Sequence, residues 1–346
     1  MPTRDPFKIG DHIIPAGTRE TVNLPVSVTS DHTPITLTVH VIHGRRPGPT
    51  MFVSAAIHGD EIIGVEIVRR LLRTKTLNSL KGTLLVIPVV NSLGFMNHSR
   101  YLPDRRDLNR CFPGSSKGAL AARLAHIFME EIVKKSTVGI DMHSAAIHRM
   151  NLPQIRVSPD NEVTMALAEV FAAPLTLTSP LREGSLRHAS KAVGTDVLLF
   201  EAGEGLRFDE FAVRVGVTGI LRVMHHLGMI SRKSVTKPKT KHFTSKSSSW
   251  VRAPAGGLFR SYKTNGEQVE VGDVLGVIAD PFGEIETDIV VEKAGLLIGR
   301  ANLPVVNEGD ALFHIAKLKL NDDVEAAIGS MTAQLDDDPL FDEDEI

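Results

Sequence analysis

The sequence predicts an α/β protein, a sheet covered by helices on both faces, followed by a small all-β domain. Two observations carry this. Between residues 34 and 231, short apolar runs alternate with stretches of helical spacing. From Trp250 onward the texture changes to brief β segments punctuated by glycine turns.

The elements follow in order. Residues 1–33 read as an N-terminal extension that can supply edge strands. In 34–42, Ile35, Leu37, Val39 and Val41 alternate with Thr36, Thr38, His40 and Ile42, mostly a half-buried strand pattern. Arg45 to Pro49 is a turn signal, and Met51 to Ile57 is a buried strand running into His58-Gly59-Asp60-Glu61. Residues 61–73 have helical spacing through Ile62, Val65, Val68 and Leu72. A strand covers 83–90, a polar arginine-rich loop 100–114, a helix 117–134 and a short strand 138–143. Pro159-Asp160-Asn161 introduces a helix through Phe171. Val197 to Phe200 is a strand, and 208–227 a helix ending at Gly228. Residues 34–231 therefore form one domain. The stretch 232–249 has six Lys/Arg and no acid and reads as a basic linker, 250–317 as the β domain, and 318–346 as an acidic, disordered tail with a short helix at 322–328.

The 346 residues suggest about two domains. A net charge of −2 gives no sign of a nucleic-acid or membrane-surface partner. That balance conceals an asymmetry. Ten acids and one lysine lie in 318–346, which leaves 38 basic and 31 acidic residues in 1–317, a charge of +7. The single cysteine, Cys111, excludes an intramolecular disulfide and a multi-thiolate metal site, so fourteen histidines form the ligand pool. Cys111 adjoins Arg110 and is expected to be a neighbour of the site and not a nucleophile. No apolar leader opens the chain, and no apolar run is long enough to span a bilayer, so the expectation is a cytoplasmic protein.

His58 and Glu61, three apart at a strand-to-helix turn, can face one point above a sheet, where α/β proteins place their sites. Imidazole nitrogen and carboxylate oxygen suit zinc, and His143, ending a later strand, is the candidate third ligand. The bland alternative is a helix start with an acidic first turn and a satisfied histidine. Glu201 follows an apolar strand and is the candidate general base, a surface acid beside a turn being the alternative. Asp107-Leu108-Asn109-Arg110, with Arg100, Arg105 and Arg106 upstream, forms a loop suited to an anionic substrate or a developing oxyanion.

HGDE at 58–61, SRYLPDRRDLNR at 99–110, DMHS at 141–144 and FEAGE at 200–204 occur in an order that resembles the succinylglutamate desuccinylase/aspartoacylase family, a branch of the zinc carboxypeptidase-like superfamily. The resemblance covers roughly 50–230, and the β domain also looks like the family's second domain. It implies an α/β/α sandwich with a mixed sheet and one zinc ion per subunit. It implies His58, Glu61 and His143 as ligands, Glu201 as general base and Asp107 as the acid orienting a ligand histidine. Asn109 and Arg110 match the pair that binds a substrate carboxylate. Arg100 looks like the arginine that polarises the scissile carbonyl. An extra stretch between Arg100 and Arg110 departs from the pattern and leaves Arg105 as the alternative.

The expected function is zinc-dependent hydrolysis of the amide bond of a small carboxylate-bearing N-acyl amino acid. A carboxypeptidase acting on peptides is the alternative, and a scaffold with a degenerate site is a third reading that the filled positions oppose. The resemblance is compatible with a homo-oligomer. The acyl group and the amine are not readable. Arg187, His148, Arg149 and Asn151 are further pocket candidates. The β domain resembles a biotinyl/lipoyl module, yet Asp280-Pro281-Phe282-Gly283 offers no lysine at the hairpin position, so neither cofactor is expected. Its expected role is to narrow the cleft.

Overall fold

A computed structural model describes residues 4–240, 242–318 and 323–341. A hairpin of β1 (Phe7–Ile9) and β2 (His12–Ile14) precedes the edge strand β3 (Thr18–Val28). β4 (Pro34–His43) pairs antiparallel with β3 and buries Ile35, Leu37, Val39 and Val41, the alternation read from the sequence. β5 (Arg46–Ala55), α1 (Ile63–Arg73), β6 (Lys81–Ile87), the short α2 (Ser92–Met96), α3 (Leu120–Glu131) and β7 (Val138–His143) follow. Next come β8 (Arg149–Val157), α4 (Glu162–Phe171), β9 (Leu175–Thr178), α5 (Leu186–Ala192), β10 (Asp196–Glu204) and α6 (Glu210–His226). Asn161, Ser185 and Asp209 start α4, α5 and α6 by accepting from the amides of Thr164, His188 and Ala212, which satisfies donors each helix would otherwise leave bare.

The sheet is mixed. β10, β7, β5 and β6 are parallel neighbours, and β8 and β4 flank them antiparallel. One face packs Ile63, Ile67 and Leu71 of α1 with Phe171 of α4 and Ile220 and Met224 of α6. The other packs Leu124, Ala125 and Phe128 of α3 and Leu186 of α5. Helices therefore cover both faces.

β11 (Phe243–Ser245), β12 (Ser248–Arg252), β13 (Gly257–Ser261), β14 (Gln268–Val269), β15 (Val274–Ala279), β16 (Glu286–Val290), β17 (Gly295–Ala301), β18 (Val305–Val306) and β19 (Ala311–Ala316) supply the C-terminal β structure, and α7 (Val324–Asp336) follows. The C-terminal β structure is present as expected, with β16, β15, β13 and β18 forming a second sheet of four, and β17 pairs with β8 and continues the main sheet. Gly299 makes this seam: a Cβ there would lie 2.8 Å from Asn151 Oδ1. Two expectations change here. The stretch 232–249 is more than a linker, because β11 pairs with β9 and β12 with β19.

The acidic tail is the second correction. α7 is capped by Asp323 and runs to Asp336, and Met331, Leu335 and Phe341 join the core beneath α6. Arg214 of α6 donates to Leu335 O and Asp336. Asp323, Glu325, Asp336 and Asp337 stay outward while an apolar stripe turns inward and Asp338 is buried, so the charge count hid an amphipathic helix. Lys319, Asp322 and residues 342–346 lie outside the described residues. Among the described residues no helix is long and apolar enough to cross a membrane.

Candidate metal and catalytic site

The parallel strands deliver the site residues to one end of the sheet. β5 runs into the turn carrying His58 and Glu61, where a Cβ on Gly59 would lie 2.0 Å from the Gly94 carbonyl carbon, so only glycine lets the turn dock on α2. His143 ends β7, and Glu201 on β10 is its strand partner, so the two side chains rise on the same face. His58, Glu61 and His143 are all buried, and their ligand atoms lie within 4.8 Å of one another.

Glu61 joins the two imidazoles. Its Oε1 lies 2.7 Å from His58 Nδ1 and its Oε2 2.6 Å from His143 Nδ1. Each ring uses its other nitrogen on a second carboxylate: His58 Nε2 is 3.1 Å from Asp107, and His143 Nε2 is 2.8 Å from Asp141. Asp141 also accepts from Ser54 Oγ, so it is itself fixed. Burial works against the charge on Glu61, but the imidazoles overcome it and hold the carboxyl well below the usual range. Burial likewise opposes a charged His143, and Asp141 with Glu61 lifts its pKa well above the ordinary value. Three carboxylates, Glu61, Asp107 and Asp141, are bonded to the two imidazoles, and Arg100 bonds to the first two of them. His58, Glu61 and His143 would hold a divalent cation, and carboxylate-backed imidazoles are the arrangement metal sites use. The residues present fit a metal ion.

Arg100 donates to Glu61 Oε1 at 3.0 Å and, through Nε and Nη2, to Asp107 Oδ2 at 3.3 and 3.1 Å. Asn109 accepts from Leu186 N through Oδ1, which leaves its NH2 group free to donate. Arg105, the alternative to Arg100, is exposed and does not line the cavity. Cys111 also lies outside the lining, donates to Asp107 O, and has its thiol pKa raised by burial, which makes it a poor nucleophile.

Glu201 is held through one oxygen. Asn151 Nδ2 donates to Oε2 at 3.0 Å, and Arg156 Nη2 forms an ion pair with the same atom at 2.8 Å. The cavity, about 440 Å³, is lined by Arg100, Arg110, Arg149, Arg156, Arg182 and Arg187 besides the ligands and Glu201. Arg187 is bonded to Arg156 O and Ser179 Oγ, and burial pushes its pKa down to about 10. Of the further candidates, Arg149, Asn151 and Arg187 line the cavity and His148 does not. Sequence reasoning missed Asp141, Arg156, Arg182 and Trp250 as site residues. Asp141 had a local signal, two residues before His143 and so on the same face of the strand.

Fold and site together define a class: a mixed-sheet α/β scaffold with a buried two-histidine, one-glutamate cluster able to hold a metal ion, beside a positioned carboxylate. The family model described as Succinylglutamate desuccinylase/Aspartoacylase catalytic domain matches residues 47–227, more than half of the chain, and the chain belongs to that family. It is 24% identical over 286 residues to N-alpha-acetyl-L-2,4-diaminobutyric acid deacetylase of Halomonas elongata, covering 79% of this chain and 84% of that one. The structure of a succinylglutamate desuccinylase/aspartoacylase from Rhodobacter sphaeroides superposes with a TM-score of 0.76 at 25% identity, covering 87% of this chain and 96% of that one. The product-bound ectoine utilization protein EutE (DoeB) from Ruegeria pomeroyi gives 0.78 at 23% identity, covering 87% and 95%.

Proposed function

We propose that the protein is a zinc-dependent deacylase that hydrolyses the amide bond of a small N-acyl amino acid bearing a carboxylate. The observation that carries this is the pairing of His143 with Glu201 on adjacent strands, which sets a metal-ligand position and a carboxylate side by side. Family membership and the deacetylase relative support amide hydrolysis as the reaction class.

His58, Glu61 and His143 would hold the zinc, a three-residue donor set of the kind catalytic zinc sites use. When bound, zinc would supply Lewis acidity toward a water molecule and an amide carbonyl. Glu201 takes a proton from the attacking water and returns it to the leaving nitrogen. Because Asn151 and Arg156 both engage Oε2, Oε1 is the oxygen left for that exchange. Arg100, fixed by Asp107 and Glu61, stabilises negative charge developing on the carbonyl oxygen. Asn109 and Arg110 bind the substrate carboxylate. Asp107 and Asp141 orient the two imidazoles. Trp250, from β12 in the β segment, forms part of the cavity wall and favours small substrates over peptides. The test is a hydrolysis screen of N-formyl, N-acetyl and N-succinyl amino acids with zinc-loaded protein. Turnover of at least one class, abolished by metal removal and restored by zinc, is expected. Turnover of peptides alone would overturn the reading.

A further inference from the structure

The cavity holds more cationic charge than the proposed chemistry uses. Among its six arginines, Arg100 is engaged by Asp107 and Glu61, and Arg156 by Glu201. Arg110, Arg149, Arg182 and Arg187 have no carboxylate within ion-pair distance among the described residues. Arg110 binds the amino acid's carboxylate in the reading above. Arg182 belongs to the same wall, because its loop docks there: Phe112 N donates to Gly184 O and Leu186 N to Asn109 Oδ1.

Arg149 stands elsewhere. It starts β8, on the other side of Glu201's strand from His143. Its guanidinium carbon lies 5.5 Å from the centre of the Trp250 ring. Trp250 is itself fixed. Its ring stacks on His314 at 4.4 Å and 6°, and His314 Nε2 shares a 2.8 Å hydrogen bond with Ser248 Oγ. A guanidinium resting on an aromatic face keeps its edge donors available and loses little freedom when it binds an anion. Arg149 and Trp250 both line the cavity, and they come from strands β8 and β12, on either side of the seam.

We propose that Arg149, carried on the face of Trp250, is the receptor for a carboxylate at the far end of the acyl group, and so sets which acyl group the cavity prefers. This rests on the deacylase reading, which places the amino acid's own carboxylate at Asn109 and Arg110. The α-carboxylate then takes the Arg110 wall and the acyl carboxylate the Arg149 wall, with the amide between them beside Glu201. An acyl chain ending in an ammonium group would meet like charge there.

The test uses full-length, zinc-loaded wild type, Arg149→Gln, Arg149→Lys and Trp250→Leu. Steady-state kinetics compare N-succinyl and N-acetyl forms of one amino acid. Titration calorimetry compares succinate with acetate and needs no turnover, so it answers even if the deacylase reading fails. Wild type is expected to favour the succinyl compound and to bind succinate about tenfold or more tightly than acetate. Arg149→Gln should erase that ratio through KM and affinity, Arg149→Lys should restore part of it, and Trp250→Leu should lower it. Equal binding of the two acids by wild type, or an unchanged ratio in Arg149→Gln, would overturn the proposal. Kinetics on N-acetylaspartate and N-acetylalanine complete the set: a loss in Arg149→Gln confined to the aspartate compound would also overturn the proposal, because it would place the second anion on the amine half.

Discussion

Asp107 and Asp141 each occupy the far nitrogen of one imidazole, so the rings present Nδ1 to Glu61 and to the space a metal would fill. Removing one of these acceptors frees a ring to rotate and lowers its basicity. Asp141→Asn is therefore expected to weaken zinc binding by about 10- to 100-fold, measured by competition with a chelator. An unchanged affinity would contradict the orienting role. At this scale the sequence was informative where geometry is local. His58 and Glu61 share one turn, and Asp107 lies in the same segment as Asn109 and Arg110. Arg156 and Asn151 were illegible as partners of Glu201 because the contact crosses strands at a bulge. The register between β8 and β10 shifts between Glu201 and Gly203, with Pro153 in the shifted stretch, where an absent N–H costs little.

The helices α1, α3, α4 and α6 and the central strands were readable because each carries its own period, whereas α2 and α5, of five and seven residues, are too short to show one. The strands β8, β9 and β11 were not readable either, since a proline-broken run, a four-residue run and a three-residue run give too little pattern to separate strand from loop. α7 was obscured by its charge. Its seat on α6 is an element-level property, and Gln334 ties it further by donating to Lys237 O and accepting from Lys239 N. Leu335 is almost fully buried. Leu335→Ala is expected to destabilise the chain by about 2–5 kcal/mol, read from the urea midpoint. A loss below about 0.5 kcal/mol would mean that the helix does not hold this seat in solution.

Across the whole molecule, the β segment contributes Trp250 to the cavity wall, and the stack of Trp250 on His314 lies at that junction. Burial, with a smaller contribution from the Arg156 charge, pushes the His314 pKa down to about 4. A base held below its unfolded value of about 6.5 is neutral in the folded chain and takes up a proton on unfolding. Its contribution is thus complete above about pH 6.5 and is lost as the pH falls toward 4. Wild type should lose more stability between about pH 7.5 and about pH 5 than His314→Gln does, by up to about 2 kcal/mol. Equal pH slopes would show that His314 is not buried at the seam.

The charge asymmetry of the sequence also resolves at this scale. Part of the basic excess lines the cavity, and part of the acidic tail is folded onto α6 and reaches β14, where Glu325 accepts from Gln268 N. The central claim is that His58, Glu61 and His143 hold zinc while Glu201 moves the proton. It is tested most directly by measuring zinc content and turnover together in wild type and Glu201→Gln. The account predicts about one zinc per chain in both proteins, with turnover of the variant lower by about 10²- to 10⁴-fold. Full turnover in the variant, or wild type active without zinc, would contradict it.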